Sequence, residues 1–242
     1  MQGYKKGICL SLLLAMGLCL SLSANAQKIG RKNLAGFDNK TFHFGFILSG
    51  NKSDFSFSLV EDSTFSSGLM GISNAPQSGF NLALLGSAKL GRHVSLRFIP
   101  GLSFQDRGLN YTFAHDFGVD NILKRTEAVN LDIPLLLKIR TDRITNFAAY
   151  ALVGAKFSKD MQSQESVNQQ LESDDILRIE SSNYSLDLGA GIDIFLPFFK
   201  FAIEVKTELG LKDVLIDDNN DYTNPIDKLK TRSYIVSLCF EG

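Results

Sequence analysis

The chain has 242 residues, a formal net charge of -1 and 21% charged residues. That length argues for one domain, and the even charge balance removes the electrostatic case for nucleic acid as a partner. Hydrophobic residues at 44% are ordinary for a folded chain and do not exclude a membrane β-barrel, whose strands alternate lipid-facing with polar residues.

The first segment reads as a processing signal. Lys5 and Lys6 precede an apolar run from Ile8 to Leu22, and Ala24-Asn25-Ala26 gives a small-x-small cleavage site before Gln27, the pattern of a secretory signal peptide. The run is too short to favour a membrane-spanning helix. Cleavage over residues 1–26 would remove Cys9 and Cys19 and leave Cys239 alone, so no internal disulfide is expected. Residues 27–40 are then expected to form a short periplasmic arm, and residues 41–242 the folded domain.

From residue 41 the apolar residues recur with a period of two. In the first run Phe42, Phe44, Phe46 and Leu48 lie opposite His43, Gly45, Ile47 and Ser49. The second, 80–90, and third, 94–105, repeat the pattern, the third setting Leu96, Phe98 and Leu102 against Arg97, Ile99 and Ser103. The fourth sets Leu131, Ile133, Leu135 and Leu137 against Asp132, Pro134 and Lys138. The fifth, 148–157, is rich in small residues and its facing is ambiguous. The sixth opposes Leu186, Leu188 and Ile192 to Asp187 and Asp193, and the seventh opposes Ile203, Val205 and Leu209 to Glu204, Lys206 and Glu208. The eighth opposes Tyr234, Val236, Leu238 and Phe240 to Ser233, Ile235, Ser237 and Cys239. Such alternation argues for strands and against helices.

The links carry a second pattern. Those at 91–92, 141–146 and 197–198 are short, while 50–78, 106–125, 158–182 and 212–231 are long and polar. Strict alternation of short and long links is the habit of transmembrane barrels, with tight periplasmic turns and extended outer loops. A soluble up-and-down barrel would bury its apolar face around a ligand instead. The sequence therefore predicts an all-β protein: an eight-stranded antiparallel up-and-down transmembrane β-barrel of a bacterial outer membrane.

If the apolar faces meet lipid, the opposite faces point into the lumen. These carry Arg97, Asp132, Lys138, Asp187, Asp193, Glu204, Lys206 and Glu208. A basic residue facing lipid at the midplane would cost about 2–4 kcal/mol, and unpaired buried charge is costly too, so internal ion pairs are expected. An eight-stranded barrel is just wide enough to be filled by side chains, which favours a packed polar interior over a pore.

No catalytic residues, cofactor or metal are expected. Acyl-transfer or hydrolytic chemistry needs a nucleophile beside an oriented base, and His43, His93 and His115 do not share a pattern with a serine and an acid. The acidic stretch Asp217-Asp218-Asn219-Asn220-Asp221 lacks the glycine and distant glutamate of a calcium loop. The 158–182 link, with Gln162, Gln164, Gln169 and Gln170, is polar enough to be mobile, and exposed loops carry function more often than scaffolds do.

Several stretches form a family pattern. His43-Phe44-Gly45-Phe46 leads, followed by Leu96-Arg97-Phe98-Ile99-Pro100-Gly101-Leu102-Ser103-Phe104, then Ile133-Pro134-Leu135-Leu136-Leu137-Lys138. Gly189-Ala190-Gly191-Ile192-Asp193-Ile194-Phe195-Leu196-Pro197-Phe198-Phe199-Lys200-Phe201 and Tyr222-Thr223-Asn224-Pro225-Ile226-Asp227-Lys228-Leu229 complete it. Over nearly the whole mature chain these resemble the PorT family of Bacteroidota outer-membrane barrels. The resemblance implies a non-enzymatic accessory of the type IX secretion system, needed to export cargo such as secreted proteases or gliding adhesins. It implies contact with outer-membrane lipid, and with other secretion-system proteins through the outer loops or the periplasmic arm. The alternative is a stand-alone surface barrel for adhesion or envelope integrity.

Overall fold

The computed structural model describes residues 32–60, 68–115, 118–162, 178–217 and 222–242; residues 1–26, expected to be a signal peptide, lie outside them. A 3-10 turn at Phe37–Asn39 precedes ten strands: β1 Phe42–Leu59, β2 Leu69–Asn74, β3 Gln77–Lys89, β4 Val94–Phe98, β5 Gly101–His115, β6 Gly118–Arg140, β7 Phe147–Asp160, β8 Ser182–Phe195, β9 Lys200–Gly210 and β10 Ile226–Glu241.

The ten strands make eight staves. β2 and β3 lie end to end along β5, from Leu69↔Phe113 to Ala83↔Gly101. β4 and β5 likewise lie end to end along β6, from Val94↔Ile139 to His115↔Gly118. Each break falls at a proline, Pro76 or Pro100, which has no N–H for a ladder bond. β1 pairs with β10 on one side and β3 on the other, so the antiparallel pairings run in a circle and leave no lateral edge along the apolar belt.

The outward face carries that belt. Phe42, Phe44, Leu84, Leu135, Ile192, Val205 and Val236 are all exposed, while alternate residues on the same strands point inward. Aromatic pairs reinforce the belt: Phe46 stacks on Phe240 at 4.8 Å, Phe80 on Phe104 at 4.5 Å, and Phe157 meets Tyr184 at 5.2 Å. Offset ring pairs of this kind add to plain area burial, and phenylalanine supplies most of them in a chain with no tryptophan. The fifth run, ambiguous in sequence, resolves with Ala148, Tyr150, Leu152, Lys156 and Ser158 inward.

The connections depart from expectation at one end. At the near end, where Phe42 and Glu241 lie, the links are short as expected. At the far end, β1 continues to Leu59, β5 and β6 leave only 116–117 between them, and β10 begins at Ile226. Much of what reads as long polar loops is thus strand.

The reason is an inversion of the two faces. On β5, Leu102 and Phe104 face out while Ser103, Gln105 and Arg107 face in. Just beyond, Leu109, Tyr111 and Phe113 are buried, with Asn110 and Thr112 on the other face. β1 and β10 invert at the same level, around the pair Phe55↔Thr231, with Leu229 inward and Lys228 exposed. Above the inversion the outward residues of β1, β5 and β10 are mostly polar, among them Ser56, Ser58, Asn110, Thr112 and Lys228, so the hydropathy signal of a lipid-facing strand fades while pairing continues.

Candidate functional site: a filled lumen

The inward residues form layers from the near end to the far end. The first is the arm itself. Asn33–Lys40 folds against the near mouth, where Asn33 N–H donates to Asn146 Oδ1 at 2.9 Å and Asn33 Nδ2 donates to the Phe195 carbonyl at 3.0 Å. Phe37 is buried, stacked on His43 at 3.8 Å and edge-on to Phe195 at 5.8 Å. Asp38 accepts from Arg140 Nη2 at 2.7 Å and lies 3.7 Å from Arg143 Nη1, while Lys89 donates to its carbonyl. Burial works against the Asp38 carboxylate, yet the Arg140 hydrogen bond and the charges of Arg140, Arg143 and Lys89 together hold its pKa below the ordinary value. Residues 33–40, part of the expected short arm, are docked against the near mouth as a cap.

Above it lies a chain of ion pairs. Arg97 is fully buried; its Nη1 donates to Glu204 Oε2 at 2.9 Å and its Nη2 to Glu241. Tyr150 Oη donates to the same Glu204 oxygen at 3.0 Å. Lys200 bridges Glu241 at 2.5 Å and Asp193 at 3.9 Å, and Lys138 donates to both Asp193 oxygens at 2.7 and 2.8 Å. The Tyr150 ring lies beneath Lys138 Nζ at 3.6 Å, a cation–π contact. Gly191 makes room for that ring, because a Cβ there would stand 2.5 Å from its Cζ and Oη. Ile47, Leu85, Ile99, Leu136, Leu152 and Cys239 pack as apolar filler at this level.

Lys206, 3.5 Å from Glu204, ends this chain, and in a second group Lys156 meets Glu208 at 2.6 Å and Asp132 at 3.3 Å. Asp187 is buried there with neither carboxylate oxygen hydrogen-bonded, in a small cavity it shares with Lys156 and Lys206. Next come Arg107, donating to Gln105 and to Ser233 Oγ at 3.4 Å, and a ring of Asn51, Asn81, Ser53 and Ser103. The far end is closed by an apolar core of Phe55, Leu69, Leu109, Tyr111, Phe113, Ile179, Val214, Ile226 and Leu229.

All eight charged residues singled out in the sequence are buried inside the ring; seven of them take part in ion pairs, five in one group and two in the other, with Asp187 beside them. Lys156, Lys200, Glu241, Arg107 and Tyr150 escaped sequence reasoning. Charge arithmetic held the clue: the chosen set has three cations, Arg97, Lys138 and Lys206, against five carboxylates. Adding Lys156, Lys200 and Arg107 gives six buried cations, and Glu241, Asp54 and Asp160 bring the buried carboxylates to eight, so most of the interior charge is compensated, as unpaired buried charge is costly.

The remaining voids are small. Three internal cavities measure about 30 Å³ each, room for about one water apiece. His43 is stacked on Phe37 with its Nδ1 unpartnered, and His93 Nδ1 lies 3.2 Å from the Arg140 carbonyl, so neither is joined to a serine and an acid. The His115 side chain, residues 218–221 of the acidic stretch and most of the glutamine-rich loop lie outside the described residues. Among the described residues no cluster of His, Cys, Asp and Glu has metal-holding geometry.

A ring of eight antiparallel staves, apolar outside and ion-paired within, defines a membrane β-barrel. The chain belongs to the family described as outer membrane protein beta-barrel domain, whose model matches residues 25–215. Its belt accordingly contacts membrane lipid. No curated protein matches the sequence. Among solved structures it is similar to the outer membrane protein OprG from Pseudomonas aeruginosa, with a TM-score of 0.50 and 12% identity over 88% of this chain and 97% of that one. It is also similar to Ail, the attachment invasion locus protein of Yersinia pestis, crystallised with the heparin analogue sucrose octasulfate, with a TM-score of 0.40 and 12% identity over 84% of this chain and 100% of that one. A third is the outer membrane protease OmpT from Escherichia coli, with a TM-score of 0.34 and 10% identity over 84% of this chain and 96% of that one. Likeness at these identities concerns the fold.

Proposed function

We propose that this barrel is a non-enzymatic, membrane-fixed accessory of the type IX protein secretion system, exported through a cleaved signal peptide and oriented with its near end in the periplasm. The observation that carries the accessory role is the filled lumen. An ion-paired interior, capped by the arm below and by an apolar core above, gives cargo no path, so a part in export has to be played by outer surfaces. The sequence resemblance to the PorT family supports the assignment to that machine. Short near-end turns and a strand-built far end support the orientation, because periplasmic turns of such barrels are tight.

The far-end extension, with its own apolar core, is a folded head rather than a set of loose loops. It offers a shaped surface for another secretion component. The docked cap leaves only the stretch of arm before Asn33 for periplasmic contacts.

Deleting the gene and comparing secreted proteins tests the assignment. The expected outcome is loss of many exported proteins together, with other outer-membrane proteins unchanged. A normal secretome with altered adhesion or envelope integrity would instead favour a stand-alone surface barrel.

A further inference from the structure

The belt is not uniform. Two adjoining apolar grooves of about 460 and 490 Å³ are let into it along β1 and β3, sharing Leu48 and Leu82. Their origin is local. Gly50 faces outward on β1, and a Cβ placed there would meet nothing within 4 Å. One strand further on, Pro100 interrupts the β3 ladder between Ala83↔Gly101 and Gly86↔Phe98. Leu84 N–H donates to the Pro100 carbonyl at 2.9 Å, but proline has no N–H to return the bond. Pro134 repeats the defect on the other side: Ile99 N–H donates to its carbonyl at 3.3 Å and receives nothing back. The wall is also thin here, since Ile47, Ala83 and Gly101 line both the outer groove and the internal cavity that holds Asp132 and Asp187.

We propose that this double groove is a binding site for a single acyl chain of a membrane lipid. Continuity decides the occupant, because the grooves lie within the lipid-facing belt and are walled by Phe46, Leu48, Phe80, Leu84, Leu102 and Val236. A groove left unfilled in a bilayer forfeits the dispersion contacts of its lining, and a flexible hydrocarbon chain restores them. Here one chain is held in a recess beside the seam that Pro100 and Pro134 interrupt.

The absence of tryptophan allows a direct test with the full chain in dioleoylphosphatidylcholine vesicles. Phe80→Trp places a reporter on the groove, and Tyr184→Trp places one on β8, diametrically across the ring. Dibromostearic acid is titrated in as a quencher. Half-maximal quenching is expected at a several-fold lower mole fraction for Phe80→Trp than for Tyr184→Trp. Adding Gly50→Leu, which fills the recess, should move the Phe80→Trp curve onto the control; Leu82→Phe is the second filling variant should the first not fold. Coincident curves for the two reporters, or a Phe80→Trp curve unmoved by a folded filling variant, would overturn the proposal.

Discussion

Arg97 shows how one residue organises the lumen. Its guanidinium is fully buried and serves two carboxylates, Glu204 and Glu241, while lying 5.5 Å from the Tyr150 ring centroid. Removing one partner of a buried ion pair leaves an uncompensated charge and costs about 3–5 kcal/mol, so Arg97→Met should destabilise the barrel by about that much. The triple variant Arg97→Met, Glu204→Gln, Glu241→Gln should recover part of the loss, because neutralising all members removes the stranded charge. Urea unfolding in detergent measures both; a single variant as stable as the parent would contradict the network. Asp38 is the pH-sensitive member of the cap. Its pKa is depressed in the folded chain by Arg140, Arg143 and Lys89 against the cost of burial, so its contribution is present above the ordinary carboxylate value of about 4 and is lost as pH falls through the lower folded value. Amide protection at Asn39 and Lys40, corrected for intrinsic exchange, should therefore fall over that acidic window, and Asp38→Asn should remove the dependence.

At the scale of elements, the strands β1, β5 and β10 each serve two environments. Their near halves put apolar residues toward lipid, and their far halves put Phe55, Leu109, Tyr111 and Leu229 into a core. Truncating a buried leucine costs about 2–5 kcal/mol. Leu229→Ala should accordingly loosen the far-end head, seen as faster proteolysis there, while the barrel's ion-paired section keeps its resistance. Simultaneous loss of both would show that the head is not separable from the barrel. The same inversion explains what the sequence disclosed and what it hid. Period-two runs such as 131–139 and 234–240 revealed the belt because lipid demands large apolar residues at every second position. Residues 51–59 and 106–125 hid their strand character, since Ser56, Ser58, Asn110, Thr112 and Asn121 are residues that loops also favour. The interior was legible wherever a charge interrupted a clean alternation, as at Arg97, Asp132 and Asp193. It was opaque at Lys156, in a strand of alanines with no clear face, and at Glu241, which lies beyond the last alternating run at the very end of β10. Which cation meets which carboxylate depends on the stagger of staves far apart in sequence, and Arg97 with Glu241 lies beyond any local pattern.

For the whole molecule the consequence is a barrel occupied from end to end. A cap of Asn33–Lys40, six buried cations among eight buried carboxylates, and a far-end apolar core fill the ring, where the cavities among the described residues measure about 30 Å³ each. Such a body can anchor, orient or dock, and the proposed role in secretion rests on its being a component rather than a conduit. Conductance across a planar lipid bilayer tests that most directly, using the purified full chain at both polarities and high salt. The account predicts no stable current steps above the bare bilayer. Reproducible ohmic steps, persisting for seconds and scaling with the amount of protein inserted, would contradict it.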